Sequence, residues 1–299
     1  MDYYSANQYF LDRFGCKVYK LALDGGMTCP NRDGTVGYGG CIFCSEGGSG
    51  EFSERIASNH SVLPPETVDS AIEKAKNRVQ SKVKSGKFIA YFQSYTNTYA
   101  SVDYLRSLFF PVINRPEIVA LSIGTRPDCL PKPVLSLLRE LNAIKPVFVE
   151  LGLQTVHDQT AKLIRRGYDF PVYEQAVKSL KSIGVNVITH LILGLPGETK
   201  EMMIRSAEVV GGLTDGVKLQ LLHVLKNTEL EKMYERGEVT PLSLEEYASL
   251  LRDCLAVIPK SVVIHRLTGD GSKKLLVAPT WSADKKRALN YINGVIRLT

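Results

Sequence analysis

The chain has 299 residues, with 37 Lys+Arg against 31 Asp+Glu for a formal net charge of +6, and it is 44% hydrophobic and 23% charged. This is ordinary globular composition, long enough for one large α/β barrel or two small domains, and it excludes disorder, collagen and low complexity. No stretch approaches the roughly 20 apolar residues of a membrane helix. The opening MDYYSANQYF has neither a basic n-region nor an apolar h-region, so the expected location is the cytoplasm.

The first predicted element is a strand over 17–23 (KVYKLAL). It leads into a segment where three of the six cysteines crowd together as Cys29-x11-Cys41-x2-Cys44, while Cys16, Cys129 and Cys254 are scattered. A disulfide framework is not expected in a cytosolic chain of this size, and such crowding points to metal binding or catalysis. Gly34, Gly37, Gly39, Gly40 and Gly47 let the backbone wrap closely around an inorganic object. A structureless loop of this length inside a domain is usually functional. Zinc and a [4Fe–4S] cluster each want four ligands. The loop supplies three thiolates, and His60 lacks the spacing of a fourth. Three thiolates on a cluster leave one iron open to a substrate or cofactor, and Phe43 beside Cys44 would shield it from solvent. The scattered cysteines read as small buried hydrophobes.

Beyond the loop, strands and helices alternate. Strands are predicted at 88–92, 118–123, 147–151, 185–193, 217–222 and 261–265. Between them, Val102, Leu105, Leu108 and Phe109 and then Val134, Leu137, Leu138 and Leu141 follow helical spacing, and further helices fall near 156–166, 171–183 and 199–211. Six or seven βα units, with no Gly-x-Gly-x-x-Gly after a strand, predict a full or partial TIM-like (β/α)6 barrel of parallel strands. Residues 1–225 would form the barrel with its cysteine loop, and 226–299 a C-terminal extension packed on the same domain.

The strand ends are polar: 93–97 (QSYTN), 124–128 (GTRPD), 150–154 (ELGLQ), 190–199 (HLILGLPGET), 218–223 (KLQLLH) and 265–270 (HRLTGD). Barrel chemistry sits at the C-terminal ends of the strands, so this series predicts a ligand-filled mouth. His60 and His157 receive no role.

The loop LDGGMTCPNRDGTVGYGGCIFCSEGGSGEF, with YFQSYTNTYA, Arg126-Pro127-Asp128, ELGLQ and the segment from His190 to Glu198, resembles a radical S-adenosylmethionine (SAM) enzyme over about residues 10 to 280. More narrowly, it is similar to the small bacterial family related to the catalytic subunit of Elongator and to oxygen-independent coproporphyrinogen oxidase. The resemblance implies that Cys29, Cys41 and Cys44 ligate a [4Fe–4S] cluster and that the methionyl group of SAM takes the fourth iron. Gln93 and Ser94 stand where such enzymes carry a Gly-Gly-Glu strand end for the amino group, and Gln93 keeps an acceptor oxygen. Arg126 would meet the carboxylate of SAM. Gln154 and Glu150 would face the ribose, and the segment from Leu193 to Pro196 would run along the adenine. Such an enzyme makes a 5′-deoxyadenosyl radical and draws its electron from a one-electron donor such as flavodoxin or ferredoxin.

For the substrate, basic residues at Lys162, Arg165, Arg166, Lys273, Lys274, Lys285, Lys286 and Arg287 stand among the aromatics Tyr168, Phe170, Trp281 and Tyr291, a pattern that suits RNA. The resemblance implies tailoring of a wobble-uridine side chain in tRNA, in one version carboxymethylaminomethyl to aminomethyl. Arg266, Lys218 and His223 are the candidates to hold the side-chain carboxylate or move protons. Two other readings stay open here: a radical SAM enzyme acting on a small metabolite or porphyrin, and a non-catalytic metal-containing tRNA-binding protein.

Overall fold

The computed structural model describes residues 3–48, 53–56, 61–83, 86–269 and 271–297. In chain order the elements are α1 (Ala6–Phe14), β1 (Tyr19–Asp24), β2 (Glu54–Arg55), α2 (Pro65–Val79), β3 (Phe88–Phe92), α3 (Val102–Ile113), β4 (Ile118–Thr125), α4 (Lys132–Ile144), β5 (Val147–Gln154), α5 (Asp158–Leu163), α6 (Phe170–Ser182), β6 (Asn186–Leu193), α7 (Lys200–Leu213), β7 (Gly216–Leu221), β8 (Val224–Leu225), α8 (Glu229–Glu235), α9 (Leu244–Val257), β9 (Val263–Arg266), β10 (Leu276–Ala278) and α10 (Lys285–Arg297).

The principal sheet has eight strands in the order β2-β1-β3-β4-β5-β6-β7-β9, and every pairing in it is parallel. Its two edges do not pair with each other, so the barrel is partial. β9 pairs with β7 although it lies within 226–299. The fold is thus the parallel α/β barrel expected, in its open form. The helices α1 and α2 have no counterpart among the predicted elements. α2 does carry the helical spacing, at Val68, Ala71, Ile72 and Ala75, but two alanines make a weak stripe.

The interior is layered. The outward faces of the strands and the helices around them form the main core, which includes Leu21, Phe92, Leu121, Val149, Val187 and Leu219. Facing the axis, Ile89, Ala120, Phe148 and Ile188 pack with Phe10 of α1 and close the N-terminal end of the barrel. One step toward the mouth the lining turns polar, with Lys20, Tyr91, Ser122, Glu150, His190 and Lys218. A third cluster of Ile42, Ile164, Leu195, Leu222, Val224, Leu230, Val239 and Ala278 joins the cysteine loop to the C-terminal segment.

Candidate active site

The cysteine loop lies between β1 and β2 and has neither helix nor strand among its described residues, as its glycines led us to expect. Its backbone is held from within. Cys44 N donates to the Cys41 carbonyl at 3.0 Å, and Arg32 N to that of Cys29 at 2.8 Å. From outside, Ile42 N donates to the carbonyl of Ile164 at 3.2 Å, and the Ile42 carbonyl accepts from Leu230 N at 2.9 Å. Ile42 is 3% exposed, and Phe43 packs beside it on the same apolar cluster. The pair therefore anchors the loop, where Phe43 was expected to act as a solvent shield.

Polar neighbours face the thiols. Asn31 Nδ2 lies 3.6 Å from Cys41 Sγ and also donates to the Arg165 carbonyl. The Arg32 guanidinium donates to the carbonyls of Cys44 and Ser45 and stacks over the Tyr95 ring at 5.4 Å. Burial pushes the Cys41 thiol up to about 12, with Cys44 and Cys29 adding to it and Arg126 opposing. Burial raises Cys129 and Cys254 in the same way, so the direction at Cys41 reports its depth in the fold. Among the described residues no three Cys, His, Asp or Glu side chains converge to hold a single metal ion. A cluster that takes one thiolate at each of three irons does not require that convergence, so the donor set fits it.

The strand ends sort the predicted contacts. Gln93 is half-buried and follows Tyr91 on the face toward the axis, whereas Ser94 is 0% exposed and bonded to Ser53 Oγ at 2.9 Å. Ser94 is thus packed inside the fold instead of facing a cofactor. The same strand end ties down the loop, since Tyr95 N donates to the Gly48 carbonyl at 3.0 Å and Thr96 N to that of Thr28 at 3.3 Å. Asn97 donates to the carbonyls of Ser94 and Gly124, and its buried Oδ1 has no partner, an acceptor still to be satisfied at the mouth.

Arg126 is largely buried and already grips a carboxylate. Its Nε and Nη2 donate to Asp128 at 2.9 and 2.6 Å, its Nη1 donates to the Arg166 carbonyl at 2.8 Å, and it stacks on Tyr168. Cys29 and Cys41 lie within its electrostatic reach, which keeps it at the cluster loop.

Gln154 sits at a bulge in β5 with φ 66°, and its amide lies back over Gly152, so it projects at the mouth.

Three expectations are corrected. Glu150 does not reach the mouth. It is 1% exposed in the middle of the barrel and receives Lys20 Nζ at 3.1 Å, Ser122 Oγ at 2.6 Å, His190 Nε2 at 2.8 Å and Lys218 Nζ. Burial alone would raise its carboxyl, but Lys20, Lys218 and His190 hold it well below the usual range. Leu193 is 1% exposed and points outward into the main core, because residues alternate along β6 and His190 and Ile192 take the inner face. Pro196 is buried beyond the strand end. His223 does not join Lys218 and Arg266: its ring packs against Gly269 and Gly271, while Arg266 pairs in register with Lys218 deeper in the barrel.

The proposed basic rim is also thinned. Arg166 is 1% exposed and bonded to the carbonyls of Leu153, Thr155 and Tyr168, and Tyr168 is buried beneath it. Trp281 donates to the Leu242 carbonyl and packs on Tyr247. Lys162 and Arg165 remain exposed beside a pocket of about 480 Å3 that also takes in Asn31, Val36 and Tyr38. Tyr38 is 81% exposed. His60 and Asp270 lie outside the described residues, as do 49–52 of the resembling loop. Sequence reasoning missed Asn31, Arg32, Lys20 and Tyr91, whose only signal is adjacency to the cysteines or a place inside an apolar strand.

Comparison with known proteins agrees with this geometry. The radical SAM superfamily model matches residues 29–210, and the radical SAM C-terminal domain matches 214–297. The chain belongs to the radical SAM superfamily. It is 46% identical to the uncharacterized protein YtqA of Bacillus subtilis over 97% of this chain and 88% of that protein. It is 32% identical to a tRNA uridine(34) acetyltransferase of Methanocaldococcus infernus over 51% of this chain and 29% of that protein. Among solved structures, the archaeal M. infernus Elp3 with an N-terminal deletion aligns with TM-score 0.63 and 22% identity, over 87% of this chain and 58% of that one. Coproporphyrinogen III oxidase (HemN) of Escherichia coli aligns with TM-score 0.50 and 15% identity over 87% and 58%. Both structures share the fold. This radical SAM enzyme accordingly uses a [4Fe–4S] cluster and SAM. Among the described residues no helix is long and apolar enough to cross a membrane.

Proposed function

We propose that this enzyme tailors the side chain of a wobble uridine in tRNA, converting carboxymethylaminomethyl to aminomethyl with water consumed, the two-carbon unit released as glyoxylate and SAM as the two-electron oxidant, in the cytoplasm and with the initiating electron from a flavodoxin or ferredoxin. The observation that carries the reading is the similarity of half the chain to tRNA uridine(34) acetyltransferases, position 34 being the wobble position. The lumen supports it, because basic groups there outnumber carboxylates. Exposed Tyr38, with Lys162 and Arg165 beside the cysteine loop, offers a stacking face and phosphate contacts to an RNA.

Cys29, Cys41 and Cys44 would hold the cluster. With SAM bound, it supplies a 5′-deoxyadenosyl radical that removes hydrogen from an unactivated carbon. The protein's part is placement and exclusion of water. Phe10, Ile89, Ala120, Phe148 and Ile188 close the far end of the barrel. Gln154 at its bulge would face the ribose and Gln93 the amino group, while Arg126, beside the cysteines, would take the SAM carboxylate in exchange for Asp128. Lys218 would hold the carboxylate of the substrate side chain, next to the carbon that gives up its hydrogen, with Arg266 beside it in register adding positive charge. His223, nearer the mouth, would move a proton.

The test is an anaerobic reaction of the enzyme with SAM, dithionite and total tRNA, followed by mass spectrometry of nucleosides. Loss of carboxymethylaminomethyluridine with gain of aminomethyluridine is expected. No change in any wobble uridine would sink the reading. Turnover of a small metabolite or porphyrin with indifference to tRNA would replace it.

A further inference from the structure

The mid-barrel layer holds more than its charge balance requires. Glu150 is the carboxylate in contact with Lys20 and Lys218, and both of its oxygens are filled: Oε1 by Lys20 and Ser122, Oε2 by His190 and Lys218. It has no lone pair left for a substrate cation. The two lysines are not exhausted. Of three N–H groups, Lys218 uses one on Glu150 and one on Tyr91 Oη at 3.1 Å, and Lys20 uses one on Glu150. Both ammonium groups also lie over the same Tyr91 ring, at 4.6 Å for Lys20 and 4.5 Å for Lys218. One carboxylate and one aromatic ring therefore hold two ammonium groups side by side, with donors left over.

The layer is reachable. Lys20 lies on β1 next to Tyr91's strand β3, and its side chain opens to solvent. The Lys20 side chain is 33% exposed and that of His190 19%.

We propose that Lys20 and Lys218, spaced by Glu150 and Tyr91, form an anion clamp in the barrel lumen that receives a carboxylate of the substrate. Glu150 is its positioning residue. The clamp deepens the function proposed above and rests on it only for the identity of the anion, the carboxymethyl group of the modified uridine.

The protonation states fit the role. The charged and titratable groups facing Lys218 are Glu150 from β5, Tyr91 from β3, Lys20 from β1, His190 from β6, and Arg266 and His265 from β9. Burial pushes Lys218 well below the ordinary lysine value, opposed by Glu150 and reinforced by Lys20 and Arg266. An arriving carboxylate adds a second negative partner and favours the charged form on which the clamp depends.

Binding of carboxymethylaminomethyluridine and aminomethyluridine nucleosides, and of sarcosine as a small acid with the same secondary amine, would be measured calorimetrically on the anaerobic SAM-loaded holoenzyme. Wild type, Lys20→Met and Lys218→Met would be compared. Wild type should prefer the carboxylated nucleoside. Each variant should lose about tenfold to a hundredfold of that preference and keep its affinity for SAM. Full preference in both variants overturns the clamp, even where wild type turns tRNA over and the proposed function stands. Sarcosine bound by wild type and released by the variants, with neither nucleoside bound, upholds the clamp and removes the uridine reading. Should Lys218→Met fail to fold, Lys20→Met, at the more exposed of the two lysines, decides.

Discussion

Replacing Arg166 by Met separates a structural arginine from an RNA contact. The guanidinium is 1% exposed and donates to the carbonyls of Tyr168 at 2.9 Å, Leu153 at 2.8 Å and Thr155 at 2.6 Å, with a longer contact to Asp158 at 3.4 Å. It also stacks on Tyr168 at 4.4 Å. Met fills much of the volume but removes the Arg166 donor from the Thr155 and Tyr168 carbonyls, at about 1–3 kcal/mol each, while the Leu153 carbonyl keeps Thr155 N at 2.9 Å. Removing a buried cation whose pKa burial has already lowered offsets part of this. The net expectation is a loss of about 3–4 kcal/mol, or about 6–12 °C in Tm. Urea and thermal unfolding would be followed anaerobically at matched iron content, because a bound cluster stabilises by mass action. Exposed Lys162→Met and Arg165→Met should stay within about 0.5 kcal/mol of wild type. An Arg166→Met protein of unchanged stability, with weakened tRNA binding and a salt slope reduced by about one, would refute the reasoning.

His190 is lowered to about 4, first by burial and then by Lys218, against the pull of Glu150. Its unfolded form binds a proton near 6.5 while the folded form does not, so stability rises with pH between about 4 and 6.5, by up to about 3 kcal/mol. His190→Gln, which keeps a donor for Glu150 and does not titrate, should flatten that part of the stability–pH curve. A Cβ on Gly152 would meet Gln154 Nε2 at 2.8 Å, so Gly152→Ala should move this amide. Its stability should change by less than about 1 kcal/mol while SAM affinity falls several-fold by equilibrium dialysis. Unchanged SAM affinity would remove Gln154 from the cofactor site. Ile42→Ala takes the anchor of the cysteine loop out of its apolar cluster. It should cost about 2–4 kcal/mol, and iron retained after gel filtration should drop. Full iron retention would show that the backbone bonds to Ile164 and Leu230 hold the loop alone.

The sequence by itself determined what depends on neighbours along the chain. The three cysteines and their glycines mark a loop that does form neither helix nor strand among its described residues. The strand predicted at 88–92 is found as Phe88–Phe92, and Val134, Leu137, Leu138 and Leu141 are buried together on α4.

Tertiary structure alone decided which way each strand residue points. Parallel strands are apolar on both faces, so nothing in LIL of β6 says that Ile192 faces the axis and Leu193 the helices. The clamp was hidden for a second reason. Lys20 and Glu150 are 130 positions apart, and Lys218 is 68 from Glu150. Their meeting depends on the register and shear of the whole barrel, which no local period records. Arg166 reads as a basic rim residue for the same reason, because burial is settled by what the chain folds over it.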